Sequence, residues 1–153
     1  MIHSLLQTDY NFTFTLIRVV SGIIIFPYGM QKLLGWFDDL GGGVGINESL
    51  ASFAQKNIPK SIAWMVIIGQ SFGSIMLITG FFGRIGAFFN FIIFTGAILK
   101  HSSDGWAMNW MGTKKGEGIE YFIMLLSILL FVIINGSGAM SIDYLLLKLH
   151  FAF

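Results

Sequence analysis

The chain has 153 residues, of which 55% are hydrophobic and only 11% charged, about half the charged fraction of an ordinary soluble domain. With 9 Lys and Arg against 8 Asp and Glu, a formal charge of +1 leaves no basic footprint for nucleic acid. So few charges also exclude a soluble globular enzyme and a disordered tail, and the expected solvent is lipid around a single domain over residues 1–153.

Phe12–Leu34 is the first stretch with the roughly 20 apolar residues that a bilayer requires; Arg18 lies near one end, Lys32 near the other, and Pro27 inside. The segment before it has neither the basic region nor the small-residue site of a cleaved signal, so this stretch is expected to be kept as a helix. A polar connection, 35–60, follows. It contains Trp36, Phe37, two acids and a glycine-rich run, 41–45, which lacks the Lys-Ser/Thr ending of a phosphate loop and reads as linker. Residues 47–55 read as an amphipathic helix capped by Asn47, presenting Leu50, Phe53 and Ala54 and lying at the membrane interface.

From 61 to 99 the chain is almost continuously apolar, with Arg84 as its one charge. As a single helix it would be about 58 Å long, close to twice the hydrocarbon thickness. A hairpin turning at Phe82-Gly83-Arg84 is expected, giving spans 61–82 and 85–100. A second polar connection, 100–116, has Trp106 and Trp110 at belt-like positions. The fourth span, 117–134, ends at Asn135-Gly136-Ser137-Gly138, and 139–153 reads as an amphipathic tail on the membrane surface. The predicted fold class is therefore all-α: an integral membrane four-helix bundle with an interfacial amphipathic helix in the first long loop. Four spans put both ends of the chain on one side. Lys32, Lys56, Lys60, Lys100, Lys114 and Lys115 lie on the other, against Arg84 and Lys148, which predicts cytoplasmic loops.

Each predicted span has one polar or small face. Arg18, Gly22, Ile25, Gly29 and Lys32 form a stripe on the first, and Gly69 and Gly73 a close-packing pair on the second. Asn90, Phe94, Ala97 and His101 align on the third, and Glu117, Glu120, Met124 and Ser127 on the fourth. A carboxylate inside a span must be protonated or paired. Lys32 and Glu120 are placed at the same level, with His101 and Gln70, so a polar cluster of these four is predicted under the loops carrying Trp106 and Trp110. Arg18 lies at the opposite end, where it snorkels or meets helix C-terminal carbonyls. The cluster reads either as glue between helices or as a ligand and proton-handling site. His101 reads either as a helix cap or as a site residue, and the tryptophans as interface anchors or stacking platforms.

There is no cysteine, which excludes a disulfide framework, an iron–sulfur cluster and a thiolate metal site. His3, His101 and His150 are too dispersed for a bis-histidine haem, and no metal site is expected. Redox chemistry would depend on a bound organic carrier or a partner protein.

The same residues resemble a known family. RVVSGIIIFPYGMQKLLGWF (18–37), GQSFGSIMLITGFFGRIGAF (69–88), the His101 that ends span three, GEGIEY (116–121) and GSGAMSID (136–143) together resemble the DoxX family of small four-helix membrane proteins. The resemblance implies a multi-pass protein of the bacterial cytoplasmic membrane. Some members are quinone-reactive subunits of a thiosulfate:quinone oxidoreductase, others are membrane partners of superoxide- and thiol-defence proteins, and remote relatives are cargo receptors and assembly chaperones. The family's polar positions fall on Arg18, Lys32, His101, Glu120 and Asp143. Where many members have an acid in span two, this chain has Gln70, which cannot relay a proton.

Three functions follow as expectations. In the first, the protein is a quinone-associated redox subunit acting with a soluble or membrane partner. Glu120, His101 and Lys32 then do the chemistry, Gln70, Asn90, Trp106 and Trp110 hold the ligand, and Arg18 and Asp143 are structural. In the second it is a non-catalytic scaffold or chaperone whose polar cluster only stabilises the bundle. In the third, ranked last because span two has no charge and no repeat is visible, it is a solute or proton pathway.

Overall fold

Among residues 5–40, 43–113 and 116–150, which the computed structural model describes, every regular element is helical. Lys114, Lys115, His3 and glycines 41 and 42 lie outside these residues. Helix α1 spans Phe12–Leu34. It starts where the Asn11 side chain accepts from the backbone N–H of Thr13 at 2.8 Å and of Phe14 at 3.4 Å. It stops at Gly35, whose φ of 77° lets its N–H close back on the Gln31 carbonyl at 3.0 Å. Pro27 is accommodated without ending the helix.

Helix α2, Gly45–Gln55, begins two residues earlier than the expected Asn47 cap. The cap is made otherwise: the Glu48 carboxylate accepts from Val44 N–H at 3.2 Å, and Ser49 Oγ donates to the Gly43 carbonyl at 3.0 Å. An acid reaching back from the first turn satisfies the start that Asn47 was expected to satisfy. Ser49 is the buried residue of α2; Leu50 and Phe53 are half-buried and Ala54 is exposed.

Helix α3, Lys60–Thr79, ends at Gly80 with φ 68°. Phe82 follows in the left-handed region at φ 49°, and α4, Gly83–His101, begins at once. The hairpin is thus turned where expected, slightly earlier than the sequence pattern places it. A short 3-10 turn, Ser102–Asp104, continues α4. Helix α5, Glu120–Asn135, starts three residues later than predicted. Its approach is bound to the preceding loop, with Ile119 N–H on the Gly105 carbonyl at 3.2 Å and Glu120 N–H on the Trp106 carbonyl at 3.0 Å. Helix α6, Ile142–His150, closes the described chain.

The long helices touch in a circuit, α1 on α3, α3 on α4, α4 on α5 and α5 on α1, and α2 packs on α1 and α3. The glycine stripe of α1 makes the closest seam: a Cβ at Gly29 would lie 2.6 Å from Ser71 N. On α3, a Cβ at Gly73 would lie 2.4 Å from Asn90 Nδ2 of α4. The core between them is Ile25, Leu77, Ala87, Phe94, Leu125, Leu129 and Val132. Outside it, Leu16, Ile23, Ile68, Phe72 and Phe88 are exposed apolar side chains, as lipid-facing positions should be. Three helices, Phe12–Leu34, Lys60–Thr79 and Gly83–Asp104, are long and apolar enough to cross a membrane. Helix α5 is apolar but has 16 residues, about 24 Å of helix.

Candidate functional site

Polar side chains gather at the two ends of the helices, and the ends differ in kind. At the α3–α4 turn, Arg18 is fully buried and its guanidinium is spent on carbonyls. Nε donates to Ser137 at 2.7 Å, one Nη to Ile78 at 3.0 Å and to Leu77, and the other to Met140 at 2.7 Å. These include the last carbonyls of α3, which have no partners within their helix. Asp143, also buried, accepts from Phe82 N–H at 2.7 Å, Gly83 N–H at 3.0 Å and Ser137 Oγ at 2.6 Å. It caps α4 from sixty residues away. Arg84 adds bonds to the Ile133 and Gln7 carbonyls at 2.7 and 3.0 Å. Among the described residues, the buried side-chain polar atom at this end without a partner is Arg84 Nε. Arg18 and Asp143 thus tie α1, the α3–α4 turn and the 137–143 segment together.

The opposite end holds a cavity of about 1050 Å³ whose walls include Tyr28, Lys32, Gln70, His101, Trp110 and Tyr121. Gln70 is 6% exposed and its Oε1 is buried with no hydrogen-bond partner. His101 is held on two sides. Its Nδ1 lies 2.8 Å from Asp104 Oδ2, and its ring stacks on Phe122 with centroids 5.6 Å apart and planes at 26°. A carboxylate on Nδ1 favours the tautomer protonated there and leaves Nε2 as the other ring nitrogen of this cavity-lining residue. Lys32 folds back on its own helix, Nζ donating to the Tyr28 carbonyl at 2.9 Å and lying 5.8 Å from the Tyr28 ring centroid. Lys56 and Lys100 also line the cavity, with Glu117 as an acid, so the charged residues of its lining are mostly cationic.

The expected Lys32–Glu120 pair does not form; among the described residues the ion pair is His101 with Asp104. Because α5 starts at Glu120, that side chain heads the helix, is exposed, and accepts from Met108 N–H at 3.2 Å. Glu117 does the same for Asn109 N–H at 3.2 Å. Both acids tie down the 105–113 loop. Glu120, Asn90 and Trp106 are absent from the cavity walls. Asn90 is fully buried between helices, donating to the Gly86 and Gly69 carbonyls at 2.9 and 3.3 Å, so it cross-links α3 and α4. Trp106 is exposed and contributes its carbonyl to the start of α5.

Asp104 and Tyr121 are wall or support residues that reading the sequence missed. For Asp104 there was a signal: an acid three residues after a helix-ending histidine, followed by Gly105, is within reach of the imidazole. The helical stripes gave none for Tyr121, because they were phased on Glu120.

No curated protein and no solved structure matches the chain. The family model for DoxX matches residues 13–103, which takes in α1 to α4 and stops between His101 and its partner Asp104. The membrane-length helices, the glycine seam between them and that match agree: the chain belongs to the DoxX family of membrane proteins.

Proposed function

We propose that this DoxX protein is the quinone-associated membrane subunit of a redox system, with the quinone headgroup seated in the cavity at the loop end. The observation that supports it best is the combination of a fixed His101 ring and the unpartnered Gln70 Oε1 in one largely apolar cavity. A bound quinone supplies the two-electron carrier and takes its protons on two oxygens. The chain supplies the binding contacts and a proton route, and the electrons come from outside it. His101, oriented by Asp104 and Phe122, exchanges a proton at Nε2. Gln70 Oε1 accepts from a hydroxyl, which gives that buried oxygen the partner it lacks. Lys32 lies in the mostly cationic lining and hydrogen-bonds or attracts an oxygen carrying negative charge. Glu120 drops out of this proton path and keeps only the loop.

In this reading α5 is the fourth membrane helix, and the four form a bundle. Its ends support that: Phe122 stacks on His101 at the loop end, and Ile133 bonds Arg84 at the turn end, so α5 runs the same depth as its neighbours. Helix α2 lies along the interface at the cavity mouth, and the lysine-rich loops face the cytoplasm from the cytoplasmic membrane. Electrons come from a partner protein or reductant docking there, since the chain has no cysteine to carry them.

The test is quinone retention and reduction. Protein purified into nanodiscs should keep quinone through washing. His101→Gln should lower membrane quinone reduction with the fold intact, and Glu120→Gln should leave reduction unchanged. Wild-type protein that retains no quinone contradicts the reading. A scaffold role is favoured by a separate observation, the exposed Trp106, Trp110 and Met111 of the second loop. It predicts that Trp106→Ser with Met111→Ser loses a specific partner while quinone reduction is unaffected.

A further inference from the structure

The α3–α4 hairpin is closed at one end and open at the other. Near the turn, Gly73 and Gly86 bring the helices into contact: a Cβ at Gly86 would lie 2.8 Å from the Gly73 carbonyl oxygen. One level on, a Cβ at Gly69 would meet Ile93 Cδ1 at 2.5 Å, and Asn90 bonds across to the Gly69 carbonyl. A Cβ at Gly96 would find nothing within 4 Å. Here the cavity wall is made of Ile62 and Met65 from α3 and of Ile92, Gly96 and Leu99 from α4. All five are exposed, so the cavity reaches the outer surface between the two helices.

Both helices are long and apolar enough to cross the membrane, so this opening faces hydrocarbon, and every side chain on it is apolar. It is also continuous with the chamber that holds Gln70 and His101. We infer that the cleft between α3 and α4 is a lateral entrance from the bilayer, in which the hydrocarbon tail of the bound quinone lies while its headgroup reaches His101. This rests on the quinone reading and adds the route and the tail recognition to it. The polar headgroup then never crosses the loop side, and a long tail favours binding because the bilayer concentrates it beside the cleft and the cleft packs it, not because it leaves water. Glycine at 96 keeps the entrance clear.

Gly96→Phe tests this directly. The site has free space, so the variant should fold, which its melting temperature checks. Binding of a long-tailed quinone and of the same headgroup without a tail is measured on wild type and variant in nanodiscs. The expected result is that both bind wild type, the long-tailed one more tightly. Gly96→Phe should weaken the long-tailed quinone about ten-fold, equivalent to roughly 1.4 kcal/mol, and leave the tailless one unchanged. Equal weakening of the two, or none for either, overturns the lateral entrance while leaving the quinone site standing. A long-tailed quinone carrying a photoreactive group at its far end should label Met65 or Leu99. Labelling confined to the loops, or labelling of the cleft by a photoreactive phospholipid that excess quinone does not displace, also overturns it. Failure of both quinones to bind wild type overturns the quinone reading and the entrance together.

Discussion

Arg18 shows how a buried charge is tolerated by a small membrane protein. Its three nitrogens satisfy the carbonyls of Leu77, Ile78, Ser137 and Met140, groups that would otherwise be buried unpaired. Arg18→Met should therefore destabilise the fold by about 3–5 kcal/mol, the usual range for breaking a buried charged network. Arg18→Lys should not restore it, since one ammonium cannot reach carbonyls on three sides. Unfolding in detergent measures both. Glu120→Gln, by contrast, alters an exposed acceptor on one loop N–H and should cost less than about 1 kcal/mol. At this scale Arg18's meeting with helix-end carbonyls was legible in the sequence, since a cation near a span end has few other partners. The role of Glu120 was not. A helical stripe gives the face of a residue but not the turn at which the helix starts, and the bonds from residues 119 and 120 back to 105 and 106 set that start.

Among the elements, glycine separates seams from openings. Gly29 sits against the Ser71 backbone and Gly96 against open space. Gly29→Val should force α1 from α3 and lower the melting temperature sharply. Gly96→Ala should raise stability by up to about 1 kcal/mol through helix propensity alone. Opposite signs at two helical glycines, read in one unfolding assay, would check the packing. The three membrane-length helices were legible because long apolar runs end at Gly35 and near the Gly80–Gly83 turn, where the backbone adopts positive φ at Gly35, Gly80 and Phe82. The start of α2 was less so: Asn47 has the right chemistry for a cap, but Glu48 and Ser49 reach the backbone first. Asn90 was read as a ligand residue because its stripe also contains His101. Only the packing of α4 on α3 shows its amide bonded across to the Gly69 carbonyl.

For the whole molecule, the two ends divide the work. The turn end is closed by Arg18, Arg84 and Asp143, and the loop end is left open around His101 and Gln70. If the loops are cytoplasmic, a cysteine introduced at Asn57 should react with an impermeant maleimide only after cells are opened, and one at Tyr10 in intact cells once the outer barrier is breached. The chain has no cysteine of its own to confuse the reading. Quinone binding in the loop-end cavity beside His101 is the proposal on which the rest depends. Its most direct test is the quinone extracted from washed, purified protein in three forms: wild type, Gln70→Leu and Glu120→Gln. Stoichiometric quinone is expected in wild type and Glu120→Gln, with marked loss in Gln70→Leu. Wild-type protein without quinone, or equal retention by Gln70→Leu, would contradict it.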